Sequence, residues 1–119
     1  MLNDWEELLN TAAAPHLVAS AEKANELLGR LQALISDLRL EVSELELRAD
    51  LELNKLLKEG KGVELQKSNW KVSEIYREWQ KKKGLLSDVR AVRRNLERHT
   101  DLLIQQEKYK PRGYNRAIN

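Results

Sequence analysis

Residues 24–56 read ANELLGRLQALISDLRLEVSELELRADLELNKL, and the spacing of their apolar positions decides the fold. Ala24, Leu28, Leu31, Ile35, Leu38, Val42, Leu45 and Ala49 follow one another at alternating steps of four and three. That is the heptad rhythm of a helix lying against another helix. A second row, Ala33, Leu40 and Leu47 with Leu51 beside it, repeats every seven residues. At about 100° per residue it falls on roughly the opposite side of the same helix. One neighbouring helix can cover one flank, and a second partner is needed for the other, so the stretch predicts assembly.

Composition agrees with long helices. Of 119 residues, 41% are hydrophobic and 34% charged, with no Phe and two Pro, which suits neither a strand-rich nor a disordered chain. The length predicts one domain. With no Cys, disulfide and thiolate chemistry are excluded. The opening residues are acidic (Asp4, Glu6, Glu7), unlike a signal peptide, and no apolar run approaches the ~18 residues of a membrane span. The expectation is a cytoplasmic protein without membrane contact.

The charge is divided. Residues 1–60 hold six Lys and Arg against twelve Asp and Glu, a net of −6; residues 61–119 hold fifteen against seven, a net of +8. Either an acidic helix folds against a basic one, or the basic half has charge to spare for nucleic acid.

Working outward from the central stretch, Asn3 or Asp4 with Glu6 or Glu7 fits the capping box of a short helix over about 4–14. Pro15 breaks it. The long helix is expected over about 16–59, ended by Gly60-Lys61-Gly62. A turn over about 60–69, with Ser68 or Asn69 as a cap, leads to a second helix over about 70–107. The main apolar row of that helix is Val72, Ile75, Trp79, Leu86, Val89, Leu96 and Leu103. Lys82, Arg93 and Thr100 interrupt it, so its ends are expected to pack better than its middle. Leu85, Val92 and His99 form an opposite row at steps of seven.

The expected fold is therefore all-α: residues 1–107 form a long antiparallel, coiled-coil-like helical hairpin with a short N-terminal helix, assembling into an oligomer. The oligomer interface would use Ala33, Leu40, Leu47, Leu51, Leu85, Val92 and His99. Residues 108–119 change character, with four positive charges, no acid, two Tyr, a Pro and a Gly, and are expected to be a mobile basic tail.

Catalytic chemistry is not visible. Neither His16 nor His99 stands in a catalytic pattern. Gly60-Lys61-Gly62 lacks the spacing of a phosphate-binding loop, and Glu41, Glu44 and Glu52 are spread along a helix rather than gathered with His as metal ligands. No enzyme, metal or cofactor is expected. The basic residues carry more. Lys83, Arg90 and Arg94 fall within ~40° on a helical wheel, with Arg98 a little further round and Lys81 and Lys82 beside them. With Lys108, Tyr109, Lys110, Arg112, Tyr114 and Arg116 of the tail, they are the candidate nucleic-acid-binding residues. The cations would follow phosphates and the Tyr would stack on unpaired bases. Trp79 belongs to the apolar row, while Trp5 and Trp70 suit anchoring on a neighbour.

The order of these features resembles small helical accessory proteins of phage recombination and replication cassettes. It is similar in particular to the recombination mediators of T-even-type bacteriophages. The resemblance lies in the acidic opening Asp4-Trp5-Glu6-Glu7-Leu8, the long helix ending in Lys58-Glu59-Gly60-Lys61-Gly62, the entry Trp70-Lys71-Val72-Ser73-Glu74-Ile75-Tyr76, and the basic aromatic end. It implies a ring-like oligomer of hairpins that binds single-stranded DNA and helps load a recombinase onto strands covered by single-strand-binding protein. The location implied is the host-cell cytoplasm if the chain is phage-encoded. The short length and acidic first half depart from broad DNA contact by both helices. The alternative is a coiled-coil adaptor, assembly factor or inhibitor whose second apolar rows bind a different protein, without nucleic acid.

Overall fold

The computed structural model describes residues 4–108, and all regular structure among them is helical. Helix α1 spans Asp4–Ala12 and a single 3-10 turn spans Pro15–Leu17. Helix α2 spans Ala21–Leu57, α3 spans Val63–Lys71 and α4 spans Glu74–Lys108. The chain divides into two compact units: the residues up to Ala33 together with α4 from Arg90 onward, and residues Leu34–Val89. The expected tail, with Tyr109, Lys110, Arg112, Tyr114 and Arg116, lies outside the described residues.

In the first unit, Pro15 takes an initial position of the 3-10 turn, where its missing N–H costs nothing. The long helix, expected from about residue 16, begins instead at Ala21 because Ser20 caps it. The Ser20 hydroxyl accepts the Lys23 N–H at 3.1 Å, and the Ser20 carbonyl accepts the Ala24 N–H at 3.0 Å. Leu8, Ala12, Val18, Ala21, Ala24, Leu27, Leu31 and Leu96 are buried. Thr100 is buried too, and its hydroxyl donates to the Leu96 carbonyl at 2.7 Å, so the polar group is satisfied inside its own helix. His99 Nε2 lies 2.9 Å from the Val18 carbonyl oxygen. A carbonyl only accepts, so this nitrogen carries the proton and ties α4 to the segment ahead of α2.

In the second unit, Ile35, Leu38, Leu45 and Ala49 of α2 and Leu86 and Val89 of α4 are buried. These are the heptad positions that the sequence predicts. Gly60 and Gly62 have φ of 72° and 96°, the left-handed region that a Cβ disfavours, so the chain leaves α2 at the expected glycines.

Beyond these glycines the chain departs from the expected turn over 60–69. Residues from Val63 form α3, whose first bonds include Gln66 N–H to the Gly62 carbonyl at 3.1 Å. The second long helix does not begin at Trp70, and neither Ser68 nor Asn69 caps it. Ser73 does: its Oγ donates to the Trp70 carbonyl at 2.6 Å and accepts the Tyr76 N–H at 3.3 Å, while its carbonyl accepts the Arg77 N–H at 3.1 Å. One serine closes α3 and opens α4. Val72, on the expected apolar row, falls in this joint and is exposed. The row also packs in the reverse of the expected pattern: its middle, Leu86, Val89 and Leu96, is buried, while Ile75, Trp79 and Leu103 are only half-buried. Lys82 and Arg93, each half-buried, do not prevent this: Lys82 ends on Glu41 and Arg93 on Glu97.

Removing the hydroxyl in Ser73→Ala should cost about 1 kcal/mol of stability in urea unfolding, with m unchanged. Gly84 lies inside α4 with nothing within 4 Å of the position a Cβ would take. Gly84→Ala should therefore raise stability by about 0.5–1 kcal/mol through helix propensity.

Candidate functional site

The second unit carries an aromatic cluster built by the α3–α4 joint. The Trp70 and Tyr76 ring centroids are 4.6 Å apart, Tyr76 and Trp79 5.7 Å, and Trp70 and Trp79 6.2 Å. The indole N–H of Trp70 donates to the Ala49 carbonyl at 2.8 Å. Ala49 is fully buried, and a methyl side chain there leaves room for the indole to reach the backbone of α2. So Trp70 anchors α3 on α2 inside this unit, where sequence alone leaves its role open.

The expected basic positions of this unit are not alike. Lys82 Nζ lies 2.9 Å from the Glu41 carboxylate, and Lys83 Nζ sits 4.6 Å from the centroid of the Trp79 ring. The first is an acid–base pairing of α2 with α4, and the second a cation–π contact. Lys81 is exposed and forms no ion pair with a described residue.

The first unit holds Arg90, Arg94 and Arg98, all exposed, at i, i+4 and i+8 of α4. Successive members stand about 6 Å apart along the helix and turn by about 40° each. Glu97, beside Arg98 in sequence, is held by Arg93 at 3.1 Å, and no described acid pairs with any of the three. Lys108 ends α4 and is exposed.

The candidate interface residues separate into two groups. Leu40, Leu47 and Leu51 are 73%, 63% and 63% exposed, and Ala33 is exposed. Leu85, Val92 and His99 are half-buried within the chain, and His99 spends its ring nitrogen on Val18. Only the α2 positions form a bare apolar row.

Two surface clefts accompany these features. One, in the second unit, is lined by Glu52, Ser73, Glu74, Ile75 and Glu78; the other, in the first, includes Thr11, Leu17, Val18 and Leu27. Among the described residues no three His, Cys, Asp or Glu gather to hold a metal, and no helix is long and apolar enough to cross a membrane. No family model, curated protein or solved structure matches this chain.

The roles of Ser20, Ser73 and Gln66 escape a reading of the sequence by period. The two serines carry a signal, since each precedes a run of helix formers, and Glu74 favours the positive end of the helix that Ser73 opens. Gln66 is 1% exposed, with its Oε1 accepting from Asn69 Nδ2 at 3.1 Å; no periodicity marks a buried amide of this kind.

Enlarging Ala49 should test the Trp70 anchor. Ala49→Leu is expected to displace the indole and cost roughly 1–3 kcal/mol, with a red shift of tryptophan emission as the ring gains water. Unchanged emission and stability would show that the indole bond does not hold α3.

Proposed function

We propose that this chain is a non-enzymatic nucleic-acid accessory factor that acts as an oligomer, with single-stranded DNA as its cargo. Arg90, Arg94 and Arg98 carry the reading: three exposed cations on one side of α4 that form no ion pair among the described residues. Guanidinium groups suit phosphate through their fork of donors. Lys81 in the other unit, and Lys108, are further exposed cations.

The form proposed for the subunit is a helical hairpin. Within the second unit, Glu41 of α2 meets Lys82 of α4 while the later Ala49 of α2 meets the earlier Trp70 of α3, as expected of a chain that folds back along α2. Assembly of such subunits would let several weak basic faces hold one strand. The resemblance to recombination mediators extends the proposal to a recombinase and a single-strand-binding protein as partners, and to the host-cell cytoplasm as the location.

Replacing Arg90, Arg94 and Arg98 with Ala should weaken binding of a labelled single-stranded oligonucleotide at least tenfold at low salt. It should also lower the slope of log affinity against log salt by about 2, since each phosphate contact on a single strand contributes about 0.7. Binding by the parent chain that does not change with salt would contradict the proposal.

A second reading, a protein-interaction module without nucleic acid, is favoured by the bare leucines of α2. Leu40→Glu with Leu47→Glu should then abolish assembly or partner capture at nearly unchanged helix content by circular dichroism. If association survives this double change, the row is not the contact.

A further inference from the structure

From the exposed row of α2 in the second unit, we infer that its occupant is the same row of a second copy, running antiparallel across a two-fold axis level with Leu45 and Glu46. The inference rests on the self-association proposed above and specifies its geometry.

Leu40, Leu47 and Leu51 lie within about 40° of one another on the helix, and Ser36 and Ser43 continue the row beside them. From Ser36 to Leu47 small and large side chains thus alternate, and Leu51 follows Leu47 one turn on. With the axis at this level, Leu40 of one copy stands opposite Leu51 of the second copy, and Leu47 opposite Ser43, each contact occurring twice. A large residue meets a small one at the centre and leucine meets leucine at the two outer levels. That is the self-complementarity an isologous interface requires.

The charges beside the row choose the direction. One flank carries Asp37, Glu44, Arg48 and Lys55, and the other carries Arg39, Glu46 and Asp50. In an antiparallel pair like flanks face each other. The same register then sets Asp37 opposite Lys55, Glu44 opposite Arg48, and Arg39 opposite Asp50. Each of these is a pair of opposite sign, and Glu46, on the flank of Asp50, lies nearest its own copy across the axis. Asp37, Arg39, Asp50 and Lys55 are exposed and form no ion pair among the described residues. Glu44 and Arg48 pair with each other at 3.1 Å within α2 and are positioned to exchange partners between copies. A parallel, in-register pair would instead turn one flank toward the other, setting Glu44 beside Glu46, like against like, as well as Arg48 beside Asp50, opposite in sign. Charge therefore favours the antiparallel arrangement, in which six facing pairs are opposite in sign.

The chain contains no cysteine, so introduced thiols report the pairing without background. Leu40→Cys and Leu51→Cys chains carrying tags of different mass are mixed, equilibrated and oxidised mildly. The mixed disulfide should exceed either homodimer disulfide several-fold. In parallel, Asp37→Lys with Glu44→Lys should weaken self-association of the full chain at least tenfold. Mixing that variant with one carrying Arg48→Glu and Lys55→Glu should restore it, since all four facing pairs are again opposite in sign. A dominant disulfide between two Leu40→Cys copies would overturn the antiparallel geometry while leaving assembly standing. A mass of 13.8 kDa at every concentration would overturn the pairing altogether. Binding of single-stranded DNA, measured on the same monomer, would show separately whether the nucleic-acid reading stands.

Discussion

A helix that is apolar along two flanks cannot dry both against one neighbour, and α2 is such a helix. Of its heptad seam, Ala24, Leu31, Ile35, Leu38, Leu45 and Ala49 are buried within the chain and Leu28 and Val42 half-buried, while Leu40, Leu47 and Leu51 remain bare. The local devices at its ends, the Ser20 cap, the left-handed glycines at 60 and 62, the Trp70 anchor and the Ser73 double cap, set where the other helices begin and stop.

Magnitudes decide what the bare row can do. Burying an exposed leucine contributes about 1.5–3 kcal/mol, so three from each of two copies offer on the order of 10 kcal/mol before any cost. Loss of rigid-body freedom opposes this by roughly 4–15 kcal/mol. The two are comparable, so association through the row is concentration-dependent, and contacts beyond the leucines decide partner and direction. This is why the flanking charges matter: a surface pair contributes at most about 1 kcal/mol, but six of them across a two-fold can tip a balance this fine.

The fold is legible in the sequence to the extent that burial follows period. The α2 seam, the glycine stop and the break at Pro15 are all readable, because each depends on residue type at a fixed spacing. Helix α3 is not, because Val63–Lys71 has a short apolar pattern and its place depends on the Trp70 indole reaching Ala49, a contact 21 residues away. The basic stripe is readable as composition but not as function. Lys82 is spent on Glu41 and Lys83 on Trp79, whereas Arg90, Arg94 and Arg98 pair with no described acid, and helical spacing alone makes no such distinction. Among the expected interface positions, periodicity treats Leu85 and Val92 like Leu40 and Leu47. The difference in exposure comes from packing within the chain.

If the bare leucine row of α2 draws copies of this chain together, sedimentation equilibrium over a wide concentration range tests it most directly. The mass is predicted to climb from 13.8 kDa to a multiple of it as concentration rises, with the climb abolished when Leu47 becomes Glu. A mass of 13.8 kDa throughout, or an oligomer indifferent to that substitution, would contradict assembly through this row.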